Sequence, residues 1–185
     1  MKIQLNNLCK AYGDKVIFEN YNRTINFNGI LLIQGKSGLG KTTLMRMIAG
    51  LEKADKGEII NSAERISFMF QEDRLIPFVT VLKNLTAVCS EEKAIKYLSL
   101  MGLENEKDNS PTALSGGMRR RVSLARTLCF DSDLVILDEP FKGLDEKLKS
   151  EICEIIKNES KNRDFIIISH DSEDAKILGA EMIEL

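Results

Sequence analysis

The sequence predicts an α/β protein, with a mostly parallel sheet covered on both faces by helices. N-terminal antiparallel β-strands precede that sheet, and an inserted helical subdomain interrupts it. Three observations carry this prediction. Short apolar runs alternate with helical segments, as a parallel sheet buried on both faces requires. The first stretch instead offers two longer strands joined by a Gly13-Asp14 turn. Between Phe70 and Ser115 the alternation stops and helical spacing takes over. A chain of 185 residues is long enough for one substantial core and too short for two ordinary domains. It is therefore expected to form a single domain, 1–185, with a core of 1–70 and 115–185 and a helical subdomain of about 71–114.

In chain order, residues 2–8 and 16–27 read as strands. Asn28-Gly29 is a strong turn dipeptide, followed by the apolar strand Ile30 to Gln34. A helix is expected from Lys41 to Ala49, ended by Gly50. Arg65 to Phe70 is a further strand. From Thr80 to Met101 the sequence is helical, with apolar positions at Val81, Leu85, Val88, Ile95, Leu98 and Met101. A polar loop then leads to a helix from Ser115 to Phe130. Strand, helix, strand and short helix follow at 134–137, 146–160, 165–168 and 171–178. Residues 181–185 could add one more strand.

Composition narrows the function classes. The net charge is −2, with 29% charged and 43% hydrophobic residues, so no global attraction to nucleic acid is expected. The triplet Arg119, Arg120 and Arg121 reads as a solvated helix face. The four cysteines are scattered and the only histidine is His170, which argues against a Cys/His zinc site. Free cysteines and the absence of an N-terminal apolar segment point to a reducing cytoplasm. The apolar runs are strand-sized, so no direct membrane insertion is expected.

Chemistry enters with Gly35-Lys36-Ser37-Gly38-Leu39-Gly40-Lys41-Thr42, which fits G-x-x-x-x-G-K-[ST] between a strand and a helix. Glycines let such a loop wrap its backbone N–H groups around phosphates, and the helix N-terminus adds positive potential. This makes the fold a P-loop NTPase core. Lys41 would reach the β- and γ-phosphates, the Thr42 hydroxyl would ligate Mg²⁺, and Thr43 completes the phosphate-binding set. The run Leu134 to Leu137 ends in Asp138-Glu139, delivering both carboxylates to the sheet edge where ligands bind. Asp138 is the candidate Mg²⁺ holder, and Glu139 the candidate acceptor of a proton from the attacking water.

A P-loop fixes the ligand better than the function. The discriminating segment is Leu114-Ser115-Gly116-Gly117-Met118, followed by a basic helical stretch. Here the chain resembles the ATP-binding cassette (ABC) ATPases, whose signature reads LSGGQ or a close variant. Met118 stands where glutamine is commoner. The resemblance implies roles for further residues. Gln71 matches the glutamine that contacts Mg²⁺ and attacking water, and His170 matches the switch histidine near the γ-phosphate. Asp145, in Gly143-Leu144-Asp145, matches the residue facing a partner subunit, and Tyr12 the aromatic that stacks on adenine. It also implies that Ser115, Gly116 and Gly117 of one subunit close over ATP held by another. The partner would be a second copy of the chain or a homologous ATPase subunit.

Gln71 to Pro77, the Ser-Gly-Gly-Met-Arg segment and Asp138 to Phe141 resemble the nitrate, sulfonate and taurine importer branch. That resemblance implies ATP hydrolysis powering solute transport through integral membrane permease subunits. It places the protein on the cytoplasmic side of the cell membrane. A soluble non-transport ABC ATPase, acting in assembly or repair, is the alternative. A small-molecule kinase would need a substrate pocket in place of the signature segment.

Overall fold

The computed structural model describes residues 1–185. Two sheets form it. Strand β1 (Lys2–Tyr12) pairs antiparallel with β2 (Lys15–Asn26), turning at Gly13, whose φ is +56°. On its other edge β1 pairs with β4 (Lys56–Asn61), giving the order β2-β1-β4. The sequence reading did not anticipate β4. Its residues alternate weakly and stay largely exposed, so the apolar signal of a strand is faint. Gly57 makes this pairing possible. Its φ is +88°, and a Cβ there would sit 2.4 Å from the Asn7 carbonyl.

The second sheet is wholly parallel: β3 (Ile30–Gln34), β5 (Ile66–Met69), β6 (Leu134–Asp138), β7 (Asp164–Ile168) and β8 (Glu181–Glu184), in the order β5-β6-β7-β3-β8. Successive residues of β6 feed opposite layers. Leu134 and Ile136 join the core shared with β1, β2 and the helix α1 (Lys41–Ile48). Val135 and Leu137 join the core beneath, with α4 (Gly116–Cys129), α5 (Glu146–Glu159) and α6 (Glu173–Leu178). Burial on both faces explains why the run is continuously apolar rather than alternating.

The inserted lobe holds two helices, α2 (Val81–Thr86) and α3 (Glu91–Leu100). The helical stretch read from Thr80 to Met101 is divided because Ser90 takes extended backbone and caps a new helix, accepting from Lys93 N. This break rotates the apolar stripe. Val88 and Ile95 lie exposed, while Ala94 and Tyr97 are buried. Both helices pack against α4. Buried Asn84 ties the preceding segment to the lobe, accepting from Ile76 N at 2.8 Å and donating to Ile76 O at 3.1 Å.

The arginine triplet is not the solvated face expected of it. Arg120 is buried, and Arg121 donates to the Met101 carbonyl at 2.6 Å. Their targets are backbone carbonyls contributed from outside α4, which sequence patterning does not reveal.

Candidate functional site

The phosphate loop joins β3 to α1, as expected. Gly40 caps α1 with φ +87°. A Cβ on it would lie 2.4 Å from Ile17 Cγ2 and 3.0 Å from the Phe18 ring, so β2 presses the loop into shape. Gly38 also takes positive φ, at +84°. Lys41 is buried and lies along the loop, donating to Gly35 O at 2.7 Å and Lys36 O at 2.9 Å. The ammonium is thus held against the backbone of the glycine turn, as a positive charge beside the loop's N–H groups.

Across the loop, Thr42 Oγ1 donates to Asp138 Oδ2 at 2.7 Å. Asp138 closes β6 and is nearly fully buried. Burial pushes its carboxyl above the usual range; the Thr42 hydroxyl pulls it back, and the Glu139 charge adds to the rise. A buried carboxylate beside a hydroxyl is a hard oxygen pair, the donor chemistry that suits Mg²⁺ shared with substrate phosphates.

Glu139 follows with φ +51°, rare for a residue bearing a Cβ. Its N–H donates to the Ile168 carbonyl at 3.0 Å, so the end of β7 helps to hold the unusual backbone. Its side chain collects three partners. Gln71 Nε2 donates to Oε2 at 3.1 Å, His170 Nε2 lies 3.0 Å from Oε1, and Lys142 Nζ is 3.3 Å from Oε2. Gln71 was expected at Mg²⁺ and the attacking water and His170 near the γ-phosphate; the structure gathers both on the candidate base. Lys142 was not foreseen, since a lone lysine three residues on carries no motif.

A groove of about 300 Å³ is lined by Tyr12, by residues of the glycine loop and its helix start, and by Gln71, Asp138, Glu139 and His170. Tyr12 is 48% exposed and adjoins Thr43. The remaining expected residues lie elsewhere. Ser115 caps α4 through Met118 N at 3.2 Å, and Gly116 and Gly117 line a separate hollow with Gln71, Asp73 and Gly143. Asp145 caps α5 through Leu148 N at 3.0 Å. None of these four touches the phosphate groove of its own chain.

Sequence reading missed the residue that joins the two hollows. Arg120 Nη1 donates to Phe70 O and Gln71 O, each at 2.9 Å. Its Nη2 donates to Asp138 O at 2.7 Å and Glu139 O at 2.6 Å. One planar guanidinium thus fastens the segment carrying Gln71 to the strand end carrying both carboxylates.

The model of the ABC transporter family matches residues 18–142. The chain belongs to the ABC transporter family. This cassette is 34% identical to the spermidine/putrescine import ATP-binding protein of Pasteurella multocida, over 99% of the chain and 55% of that protein. It is 33% identical to the aliphatic sulfonates import ATP-binding protein of Bacillus cereus, over 99% of the chain and 80% of that protein. A ferric ion import ATP-binding protein of Fusobacterium nucleatum is 36% identical, with 95% of the chain and 53% of that protein covered. The cassette therefore spans about half the length of some relatives and four-fifths of others. The sulfonate branch is among these relatives, as the sequence suggested, but polyamine and iron importers match at similar identity. Among solved structures, the dimeric structure of a bacterial ABC transporter cassette superposes with TM-score 0.86 at 28% identity, covering 99% of this chain and 94% of that one. The structure of a post-hydrolysis state bound to ADP and phosphate gives 0.88 at 27% identity, with the same coverage.

Proposed function

We propose that this ABC ATPase works as a pair of subunits that hydrolyse Mg-ATP and thereby drive a small solute through a separate membrane permease. The observation that carries the pairing is the division of the site. The glycine loop, Asp138, Glu139 and His170 share one groove, whereas Gly116 and Gly117, just after the capping Ser115, line another hollow. A two-fold pair lets each copy lend its signature segment to the other's groove. A structural relative is itself described as dimeric.

Within the groove, Tyr12 stacks on adenine, Lys41 meets the β- and γ-phosphates, and Thr42, Asp138 and Gln71 hold Mg²⁺. The ion neutralises phosphate charge when bound. Glu139 accepts the proton of the attacking water, and His170 orients that carboxylate. Closure of the pair follows from tighter ATP binding by the closed state. Transport is supported by relatives named for import of polyamines, sulfonates and ferric ions. No helix is long and apolar enough to cross a membrane. The membrane passage therefore falls to a partner, which would place this subunit on the cytoplasmic face.

Two measurements test the proposal. Lys41→Ala should abolish nucleotide binding by calorimetry, and unchanged affinity would refute the groove assignment. Tagged protein recovered from its native cells in mild detergent should bring down a multi-spanning membrane protein. Recovery of soluble partners alone, with ATPase activity intact, would overturn transport.

A further inference from the structure

Tyr12 is the last residue of β1, and it stands half exposed in the lining of the groove. An exposed ring on a strand end samples several rotamers, and ordering it when a ligand arrives costs entropy unless a neighbour already holds it. Here a neighbour does. The Tyr12 hydroxyl donates to the Glu52 carboxylate, and Lys10 Nζ lies 3.0 Å from the same group. Lys10 and Glu52 side chains are only 11% and 19% exposed, so this pair is better shielded than the ring it supports. The Lys10 ammonium also lies 5.2 Å from the Tyr12 ring centroid.

The brace continues into the backbone. Lys10 Nζ donates to Lys53 O at 2.9 Å, and Ala11 N donates to Asp55 Oδ2 at 2.7 Å. Asp55 N returns a bond to Cys9 O at 2.9 Å. Glu52, Lys53 and Asp55 lie in the turn after α1, the helix that starts at the phosphate loop. The end of β1 is thus strapped to the element that carries the phosphate site. Burial and the Glu52 carboxylate both push the Tyr12 hydroxyl up from the ordinary phenol range, so it stays protonated and a donor to Glu52.

We propose that Glu52, braced by Lys10, is a positioning residue that fixes the Tyr12 ring for a nucleotide base, so that this chain senses the base as well as the triphosphate. This rests on Tyr12 being the base-stacking residue. A purely structural clip between β1 and the α1 turn would hold the fold equally well but would treat ligands with and without a base alike.

Calorimetry with Mg-ATP and with Mg-tripolyphosphate separates the two. Glu52→Ala should weaken Mg-ATP roughly 3- to 10-fold, the worth of one hydrogen bond, and leave tripolyphosphate affinity unchanged. Glu52→Gln, which keeps an acceptor for the hydroxyl, should recover most of the loss. Tyr12→Phe should match Glu52→Ala, and combining them should add nothing. Equal loss for both ligands, or a further loss in the Tyr12→Phe background, would overturn the positioning role. If Tyr12→Ala leaves Mg-ATP affinity intact, the stacking assignment fails and takes the proposal with it. If Tyr12→Ala is base-selective but Glu52→Ala is inert, only the positioning role fails. Should Glu52→Ala not fold by circular dichroism, Lys10→Met supplies the same test through a smaller base-selective loss, and a loss blind to the base would refute it.

Discussion

His170 Nε2 lies 3.0 Å from Glu139 Oε1, while Gln71 donates to the other oxygen at 3.1 Å. Each carboxylate oxygen is therefore aimed by a different loop. Burial alone would push the Glu139 carboxyl up, but Lys142 and His170 outweigh it and hold the carboxyl below its usual range. At neutral pH the group is ionised and able to accept a proton. Glu139→Gln keeps the shape and removes the base, so turnover should fall by roughly 10²- to 10⁴-fold. Nucleotide affinity should persist, and light scattering should show a Mg-ATP-dependent dimer that no longer dissociates. A variant that hydrolyses ATP at the native rate, or stays monomeric at millimolar ATP, contradicts the assignment.

Asp138 behaves in the opposite sense. Burial raises its carboxyl above the unfolded value of about 3.9, so the folded state binds more protons between the two values. Stability from this group therefore falls as pH rises through that window and stays lowered at neutrality. Asp138→Asn removes the buried charge and keeps an acceptor for Thr42. Thermal melts without nucleotide should show the variant more stable than the native protein at pH 7, with the gap closing towards pH 4. With Asp138 in its proposed Mg²⁺-holding role, adding Mg-ATP should reverse the order, because only the native carboxylate would gain a cation partner. If the variant is the less stable at neutral pH without ligand, the carboxylate is not under the strain of burial.

The legible parts of this fold were those where local sequence and tertiary need coincide. Gly40 announces the phosphate loop because only glycine meets the φ of +87° under Ile17, and β6 announces itself because both its faces are buried. What stayed hidden depends on long-range polar contacts. Strand β4 is held by pairing with β1 around Gly57 rather than by an apolar face. Arg120 looked like surface charge, because its acceptors are carbonyls of residues 70, 71, 138 and 139, distant in sequence. Likewise, Lys149 in an amphipathic helix gives no hint that Asp174 awaits it.

That last pair steadies the segment bearing His170. Lys149 Nζ lies 2.5 Å from Asp174 and 3.0 Å from Asp171, with Lys149 and Asp174 both buried. Ser169 Oγ donates to Asp174 at 2.5 Å and accepts from Asp171 N at 3.1 Å, so both neighbours of the histidine are tied down. Lys149→Met strands the Asp174 carboxylate and should cost about 3 kcal/mol in chemical denaturation. Lys149→Arg should restore most of it. Burial pulls the Lys149 ammonium down, but the two carboxylates more than reverse this and raise it. The stabilisation is then present throughout neutral pH, and it declines only as pH climbs above about 10.4 towards the folded value. A Lys149→Met protein as stable as the native one at pH 7 would mean the pair is energetically idle.

Arg120 makes the sharpest demand on side-chain shape. Its guanidinium meets carbonyls of two segments at once, at 2.6 to 2.9 Å, from a position only 6% exposed. An ammonium carries the same charge but lacks the planar fork, so Arg120→Lys leaves some of these carbonyls without a donor. Each buried acceptor so orphaned costs about 1–3 kcal/mol, and Arg120→Lys should lower the melting temperature by several degrees in a chain of this size. Turnover should suffer more than nucleotide affinity, because Gln71 and Glu139 lose their shared anchor while the phosphate loop keeps its own. Arg119→Lys provides the control. Arg119 is partly exposed, bonds a single carbonyl, that of Leu114 just before α4, and pairs with Asp73 at 4.0 Å through a charge that lysine keeps, so its replacement should change both quantities little. Equal effects at the two positions would show that Arg120 contributes charge alone rather than a fixed bridge between the Gln71 segment and the strand end that carries Asp138 and Glu139.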